Sequence, residues 1–170
     1  MLHTDNILLR KVEPCDLPFL YQWENDSRSW ADSDIHNPLS QKDLRDYIET
    51  STGDIYKDGQ LRLIIELKSE SVNSTIGCID LFDFDPHNRK AALGLYIAEH
   101  ARGKGVGKTV VRLLEEYAFS YLNLRMLYVF VAENNAACIR LYKSLGWEQT
   151  ASLKEWLNTG DVVVLQRLKQ

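Results

Sequence analysis

The sequence predicts one domain of the mixed α/β class, and three observations lead to that prediction. The chain has 170 residues, a usual length for one domain. Segments with the apolar pattern of β-strands are interspersed with segments of helical spacing. A cluster of three glycines lies between a strand-like and a helix-like segment. Because no repeat, low-complexity stretch or linker interrupts this pattern, we predict a single domain over residues 1–170.

Composition argues against several classes of protein. Lysine and arginine number 20 against 24 aspartates and glutamates, so the formal net charge is −4. This mild acidity argues against a nucleic-acid partner, which needs a basic face, and is compatible with a cationic substrate. The longest apolar run, Met126 to Ala132, is too short to span a membrane. No basic segment followed by an apolar one opens the chain, so we expect a cytoplasmic protein without a membrane partner.

Metal binding has no support in the sequence. Cys15, Cys78 and Cys138 form no Cys-x-x-Cys pair, and the four histidines are scattered. Neither pattern has the ligand spacing of a zinc site. We therefore predict no metal site, and three reduced, mostly buried cysteines.

The first third of the chain predicts one short strand and two helices. Residues 7–10 form an extended apolar piece, and residues 16–24 form a helix with a proline near its start. A polar loop over residues 27–38 follows. Ser40 and Asp43 form a variant capping box, which predicts that the second helix begins there.

Strand-type segments separated by polar turns occupy the middle of the chain, at residues 60–67, 75–84 and 91–98. A fourth strand, over residues 125–132, is almost continuously apolar, which is typical of a strand with both faces covered.

Two helices and a hairpin complete the pattern. Amphipathic spacing predicts a long helix from Val106 to Tyr121. Residues 135–145 form a second helix, which Gly146 terminates. Residues 156–168 form a closing β-hairpin.

The glycine cluster predicts a phosphate site. It reads Arg102-Gly103-Lys104-Gly105-Val106-Gly107-Lys108-Thr109. A helix N-terminus binds anions through its N–H groups and dipole, and glycine lets a phosphate approach the backbone. A plain turn would need only one or two glycines. The spacing does not match the dinucleotide fingerprint Gly-x-Gly-x-x-Gly, and it is one residue too short for a Walker A loop.

The pattern that fits is Arg-x-x-Gly-x-Gly, and a second segment supports the same interpretation. Residues 135–147 are similar to the run Asn-x-x-Ala-x-x-x-Tyr-x-x-x-Gly-Phe, with Cys138 in place of the alanine and Trp147 in place of the phenylalanine. Together the two segments resemble the GNAT superfamily of acetyl-CoA-dependent N-acetyltransferases. The resemblance implies a mixed central β-sheet flanked by helices, with the glycine-rich loop between a central strand and a long helix.

By this resemblance, acetyl-CoA is the cosubstrate. Backbone amides of the glycine cluster would hold its pyrophosphate, and a strand would pair with its pantetheine arm as with an added strand. Asn135 would either hydrogen-bond the arm or cap the following helix. The candidate cofactor-binding residues are Leu95, Tyr96, Ile97, Arg102, Gly103, Lys104, Gly105, Val106, Gly107, Lys108 and Asn135.

Tyr142 and Glu133 are the candidate catalytic residues. The resemblance makes Tyr142 the general acid, since a phenol of pKa about 10 can protonate a thiolate whose conjugate thiol has a pKa of about 8.5. A buried aromatic side chain is the alternative. Many GNAT members carry a glutamate base where this chain has Ala92. Glu133 is then either a relay base or a plain exposed carboxylate.

Carboxylates and tryptophans alternate in the region where, by the resemblance, the acceptor binds. The candidate substrate-binding residues are Glu24, Asp32, Asp34 and Asp83, with Asp80 and Asp85 adding negative charge. Such a set binds a cationic amine through ion pairs and cation–π contacts. For each residue taken alone, a solvated acidic surface is the alternative, whereas the set as a whole favours a polyamine.

The layout of the chain is similar to bacterial spermidine N-acetyltransferases and to ribosomal-protein N-terminal acetyltransferases. We therefore predict acetyl transfer to a small-molecule amine of the polyamine type, with a protein N-terminus as the alternative acceptor. A non-catalytic acyl-CoA-binding regulatory domain is a further alternative, because Ala92 replaces the glutamate. Relatives of the polyamine type form larger assemblies, so the resemblance leaves a homo-oligomer open.

Overall fold

The computed structural model describes residues 2–30 and 37–170. Within these residues the strands are β1 (Leu2–His3), β2 (Ile7–Lys11), β3 (Leu61–Leu67), β4 (Ser74–Asp85), β5 (Lys90–Ile97), β6 (Met126–Ala132), β7 (Glu148–Leu157) and β8 (Gly160–Leu168). The α-helices are α1 (Leu17–Glu24), α2 (Ser27–Trp30), α3 (Gln41–Thr50), α4 (Ile55–Asp58), α5 (Val106–Ser120) and α6 (Ala136–Ser144). Two short 3-10 turns are also present. Pro14–Asp16 precedes α1, and Glu99–Ala101 precedes the glycine cluster.

The described strands form one mixed sheet in the order β1-β2-β3-β4-β5-β6-β8-β7. β5 and β6 run parallel because α5 crosses over between them, whereas the other neighbouring pairs are antiparallel. The predicted mixed central sheet is therefore confirmed.

Each face of the sheet packs against different helices. The larger core lies on the face that α5 covers, and includes Leu63 and Leu93 of the sheet together with Val110 and Leu114 of α5. We call this side the α5 face and the opposite side the α1 face. The smaller core on the α1 face consists of Leu20, Trp23, Leu44, Ile64 and Cys78.

Two predicted helix ends are confirmed in atomic detail. The Asp43 N–H donates to Ser40 Oγ at 3.1 Å, and the Ser40 N–H donates to Asp43 Oδ2 at 2.9 Å, so the capping box starts α3. Gly146 follows α6 with φ of +83°, a conformation that glycine adopts easily.

Some sequence predictions were wrong. The predicted loop over residues 27–38 contains the one-turn helix α2, and the hairpin is longer than residues 156–168 because β7 begins at Glu148. The start of β7 is almost entirely exposed, so it lacks the alternating apolar pattern that marks a strand. β6 is not covered on both faces, because Phe130 is 45 % exposed on the α1 face. Cys15 is exposed rather than buried.

Candidate active site

β5 and β6 separate at the centre of the sheet. Their parallel pairing covers three residues of each strand and ends at Ala92 and Tyr128. Beyond this point β5 continues along β4 as far as Ile97, and β6 continues along β8 as far as Ala132. The two diverging strands therefore enclose a wedge, and an extended ligand in this wedge can pair with strand backbone.

Three candidate cofactor-binding residues lie on β5 along the wedge. Leu95 and Ile97 pack against the core of the α5 face, whereas the Tyr96 ring lies 5.3 Å from the Trp23 ring on the α1 face. The Ile97 carbonyl accepts a hydrogen bond of 2.7 Å from Arg102 Nε. The side chains of these residues therefore pack against the two cores, and their backbone borders the wedge.

The glycine turn, residues 102–108, connects β5 to α5. Gly103 and Gly105 have φ values of +74° and +79°, which other residues adopt only with strain. Gly105 is the N-cap of α5, and no side chain caps this helix. Its first N–H groups therefore have no side-chain partner, and the exposed Lys104 and Lys108 add positive charge nearby. This arrangement fits a phosphate group.

Gly107, the third glycine, has a different role from the first two. A Cβ at this position would lie 3.2 Å from Cδ2 of Leu141 on α6 and 3.5 Å from Cδ1 of Ile97. The absence of a side chain here lets the start of α5 pack closely against both α6 and β5, and a Cβ would require the Leu141 side chain to shift by a few tenths of an ångström.

Tyr142 lies on α6 and is buried on the α5 face. Its side chain is 2 % exposed, and its ring lies 4.8 Å from the Trp147 ring. Burial, together with the nearby Cys138 and Glu115, raises the pKa of Tyr142 well above its usual value, because a buried phenolate is poorly solvated. At neutral pH the phenol is therefore protonated, and it can donate a proton.

The segment between β6 and α6 contains Glu133 and Asn135. The Asn135 Oδ1 accepts a hydrogen bond of 3.1 Å from the Cys138 N–H, so the helix-capping role is confirmed. A bond between Asn135 and acetyl-CoA stays a prediction. Glu133 is exposed, whereas Ala92, where many GNAT members carry the glutamate base, is fully buried.

Glu24 belongs to an ion network on the α1 face. Arg62 donates through Nη1 to Glu24 at 2.5 Å, and through Nε and Nη2 to the two oxygens of Asp80 at 2.9 Å each. Burial acts to lower the pKa of Arg62, but Asp80 and Glu24 raise it well above its usual value, so the guanidinium stays charged. Two carboxylates thus share one cation, and the network keeps one net negative charge.

Two cavities lie on the α1 face. One of about 540 Å³ is bordered by Glu24, Arg62 and Tyr47. The other, of about 390 Å³, lies between α1 and the end of β5, where Tyr96 and Arg102 contribute to its wall.

Asp83 lies in a bulge of β4. The pairing of β4 with β5 shifts between Phe82 and Asp85, and Asp83 has φ of +46°. Its exposed carboxylate has no hydrogen bond or ion pair in the part of the chain that the structure describes. The other two predicted acceptor residues, Asp32 and Asp34, lie outside the described residues.

Sequence analysis missed four aromatic residues on β4, β6 and β7, namely Phe82, Tyr128, Phe130 and Trp156, which we call the aromatic wall. Phe82, Phe130 and Trp156 are 36 %, 45 % and 57 % exposed. The Phe130 ring lies 5.7 Å from Tyr128 and is stacked 6.4 Å from Trp156. The signal that could have found Tyr128 and Phe130 is the alternation of two aromatic and three aliphatic residues in β6, which places both aromatic side chains on one face.

Within residues 2–30 and 37–170, no cluster of three or more His, Cys, Asp or Glu side chains is placed to hold a metal ion. No helix within them has the length and apolar character needed to cross a membrane.

Residues 6–148 match the family model described as the acetyltransferase (GNAT) domain. The chain belongs to the GNAT acetyltransferases. It is therefore an acetyl-CoA-dependent N-acetyltransferase, as the two sequence segments predicted.

Similar proteins agree with this assignment. The spermidine N(1)-acetyltransferase of Escherichia coli strain K12 is 26 % identical over 156 residues, which are 90 % of this chain and 78 % of that protein. Spermidine N-acetyltransferase from Vibrio cholerae in complex with CoA and spermine has the same fold, with a TM-score of 0.84 and 24 % identity over 97 % of this chain and 96 % of that one. A dodecameric structure of the Vibrio cholerae enzyme is 26 % identical, with a TM-score of 0.80 over 97 % of this chain and 95 % of that one.

Proposed function

We propose that this GNAT acetyltransferase transfers the acetyl group of acetyl-CoA to a primary amine of a small, cationic, polyamine-like molecule. The main structural support for this transfer reaction is the wedge between β5 and β6, which has the glycine turn at its end. The polyamine acceptor is supported by the Escherichia coli and Vibrio cholerae relatives, which are spermidine N-acetyltransferases. The mild excess of carboxylates is compatible with such an acceptor.

Acetyl-CoA supplies the acetyl thioester, and the chain would hold it at two places. The glycine turn would bind the pyrophosphate through backbone N–H groups, since charge-assisted hydrogen bonds contribute roughly 1.5–3 kcal/mol each. The backbone of Leu95, Tyr96 and Ile97 would pair with the pantetheine arm along the wedge. Asn135 would contribute a further hydrogen bond from the start of α6.

Tyr142 would act as general acid and protonate the leaving sulfur. The phenol holds its proton at neutral pH, which is the form that a general acid requires, and its raised pKa makes it a weaker acid than an exposed tyrosine. Gly107 supports this role indirectly, since the close packing of α5 against α6 fixes the helix that carries Tyr142.

The amine must be neutral before it attacks. Deprotonating an alkylammonium of pKa about 10.4 at pH 7 costs roughly 4.6 kcal/mol, whereas a protein α-amine of pKa about 7.8 costs only about 1 kcal/mol. With a buried alanine at Ala92, no carboxylate occupies the usual position of the base. Glu133 would relay the proton to solvent, which its exposure allows.

Among the acidic acceptor candidates, Asp83 fits best. Glu24 lies in the Arg62 network and would act through the net negative charge of that network, whereas Asp83 is exposed in the bulge of β4, next to Phe82. Asp32 and Asp34 stay predictions.

The test is release of CoA thiol from acetyl-CoA with a panel of spermidine, spermine, putrescine, lysine and a basic N-terminal peptide. We expect turnover with the polyamines, and we expect Tyr142→Phe to lower kcat by at least about 10-fold. The KM for acetyl-CoA should change little, because the ring and its packing are kept. Turnover with the peptide alone would favour the protein N-terminus as acceptor. Tight acetyl-CoA binding without turnover on any amine would favour a regulatory domain.

A further inference from the structure

The aromatic wall lies at the edge of the wedge, on the face of the sheet that α5 does not cover. Tyr128 is the last residue of β6 that pairs with β5, and Phe130 lies two residues, or about 6.6 Å, further along the wedge. Val129 and Val131 point into the core of the α5 face, so Tyr128 and Phe130 point to the other side.

In the described part of the chain, the wedge is less covered on this side than on the α5 face. On the α5 face, the helices α5 and α6 and the core residues Leu93 and Val129 close the wedge. On the α1 face, the wedge is bordered instead by Gly94, which has no side chain, and by the partly exposed Phe82, whose ring lies 3.4 Å from where a Gly94 Cβ would stand.

Irregularities in two strands, β4 and β7, position the residues of this surface. Asp83 in β4 and Glu155 in β7 both have positive φ, at +46° and +49°, although neither is glycine. Both lie where the strand pairing shifts, and the second shift places Trp156 against Phe130. Bulges and strained residues occur preferentially next to binding sites, where they redirect side chains.

One side chain fixes the bulge in β7. Asp161 accepts a hydrogen bond of 2.9 Å from the Glu155 N–H and one of 2.6 Å from Lys154 Nζ. These bonds lower the pKa of Asp161, the contact with Lys154 contributing most, so the carboxylate is charged at neutral pH. The position of Trp156 is therefore maintained by a hydrogen-bonded strand end rather than by burial.

The wall is also close to negative charge. Burial, followed by the charges of Asp83 and Asp85, raises the pKa of Tyr128, so both carboxylates lie near enough to act on this ring. Asp85 is engaged in a turn, where it accepts hydrogen bonds from the Asn88 N–H and side chain. The exposed Asp83 is thus the carboxylate available to a ligand.

We propose that the aromatic wall and Asp83 together form the acceptor-recognition surface, and that its occupant is a linear aliphatic diamine or polyamine. The rings cover the methylene chain and attract an ammonium group through cation–π contacts. Asp83 pairs with the distal ammonium, the one that is not acetylated. This inference rests on the proposed function and adds which residues recognise the acceptor and why a second positive charge is preferred.

The test compares 1,4-diaminobutane with butylamine, which has one ammonium fewer, in acetyl transfer and in calorimetric binding with CoA present. We expect Trp156→Ala to raise the KM and Kd for the diamine about 5-fold, and Trp156→Phe to restore most of the loss. Asp83→Asn should raise both constants about 3-fold for the diamine and leave those for butylamine unchanged. The KM for acetyl-CoA should stay the same in each variant.

Two matched controls come from exposed residues that are not part of the wall. Tyr121→Ala removes an aromatic ring that is 76 % exposed at the end of α5, and Glu70→Gln neutralises an exposed carboxylate in the turn between β3 and β4. Neither should change the diamine constants.

The outcomes separate this inference from the proposed function. If the enzyme acetylates the diamine but Trp156→Ala and Asp83→Asn leave its KM and Kd unchanged, the wall is not the recognition surface. If no amine is acetylated but diamine binding still depends on Trp156 and Asp83, the wall is a diamine-binding surface and the proposed function is wrong. If neither variant affects diamine binding and light scattering shows that Trp156→Ala dissociates an assembly, the wall is an interface between copies of this chain, and the inference is overturned.

Discussion

Two buried residues of this chain carry titratable groups that are kept protonated, Tyr142 and Cys78. Burial is the main cause in both, and it raises the pKa of each group. Arg62, by contrast, remains charged while largely buried, because two carboxylates surround it. At the scale of single residues, the environment of a side chain decides whether it can donate a proton, stay inert or hold a charge.

The buried thiol has a consequence for stability at alkaline pH. An unfolded chain ionises Cys78 above pH about 8.5, whereas the folded chain keeps its proton, so folded stability falls by up to about 1.4 kcal/mol per pH unit from this group. Urea unfolding of Cys78→Ala and wild type from pH 7 to pH 10 measures this. We expect the difference in free energy of unfolding between wild type and Cys78→Ala to fall by about 1.2 kcal/mol from pH 9 to pH 10. Cys15→Ala, at an exposed cysteine, should leave the pH dependence of the free energy of unfolding as in the wild type. If the difference in free energy of unfolding between wild type and Cys78→Ala is the same at every pH, the buried thiol does not cause the loss of stability.

At the scale of elements, the site depends on places where regular structure stops. The parallel pairing of β5 and β6 ends after three residues, α5 begins without a side-chain cap, and β4 and β7 each contain a bulge. Each interruption leaves backbone groups or side chains turned away from the regular ladder, where a ligand can reach them.

The glycine turn can be tested against a glycine of the same conformation elsewhere. Gly105 and Gly59 have φ values of +79° and +69°, and both have open space where a Cβ would stand. Alanine at either position should therefore reduce stability by a similar amount, about 1–2 kcal/mol. Gly105→Ala alone should also raise the KM for acetyl-CoA several-fold, because it disturbs the first N–H groups of α5. Urea unfolding measures the effect on stability, and steady-state kinetics measures the KM. If both variants have the same KM for acetyl-CoA, the glycine turn is not part of the cofactor site.

At the scale of the whole molecule, the fold separates two substrates. The glycine turn and the strand backbone along the wedge are the proposed site of acetyl-CoA, whereas the proposed acceptor surface lies on the α1 face. The two proposed sites meet at the wedge, where the thioester and the amine would react. The net charge of −4 is compatible with an anion site and a cation site at different places in this chain.

Binding of acetyl-CoA should stabilise the whole domain. A ligand at 100 times its Kd stabilises the folded state by about 2.7 kcal/mol, which corresponds to a rise in Tm of roughly 5–10 °C for a chain of this length. A thermal shift assay with acetyl-CoA, CoA and ATP at equal concentration measures this. We expect both CoA compounds to raise Tm and ATP to have a much smaller effect, because the glycine turn is not a Walker A loop. A larger rise with ATP than with CoA would contradict the assignment of the turn.

Prediction from sequence succeeded where chemistry is local. The capping box at Ser40, the terminating Gly146 and the glycine turn before α5 were all found from residue order, and the fold class followed from the two motifs. Prediction from sequence failed for strands that have exposed residues, because exposure removes or masks the apolar alternation by which a strand is recognised. β7 is mostly exposed, so its residues carry no apolar alternation, and the aromatic residues of β6 were read as core because both faces were expected to be covered.

The sequence by itself indicated a GNAT acetyltransferase, because each of the two motifs that mark this family lies within one short segment of the chain. The tertiary structure decided which acidic residues are paired and which are exposed. Glu24 and Asp83 look equivalent in the sequence, but Glu24 pairs with Arg62, whereas Asp83 is exposed in the bulge of β4. Their difference arises from segments that are distant in the chain, since α1 and β3 bring Glu24 to Arg62 and the pairing of β4 with β5 forms the bulge, and no local pattern records it.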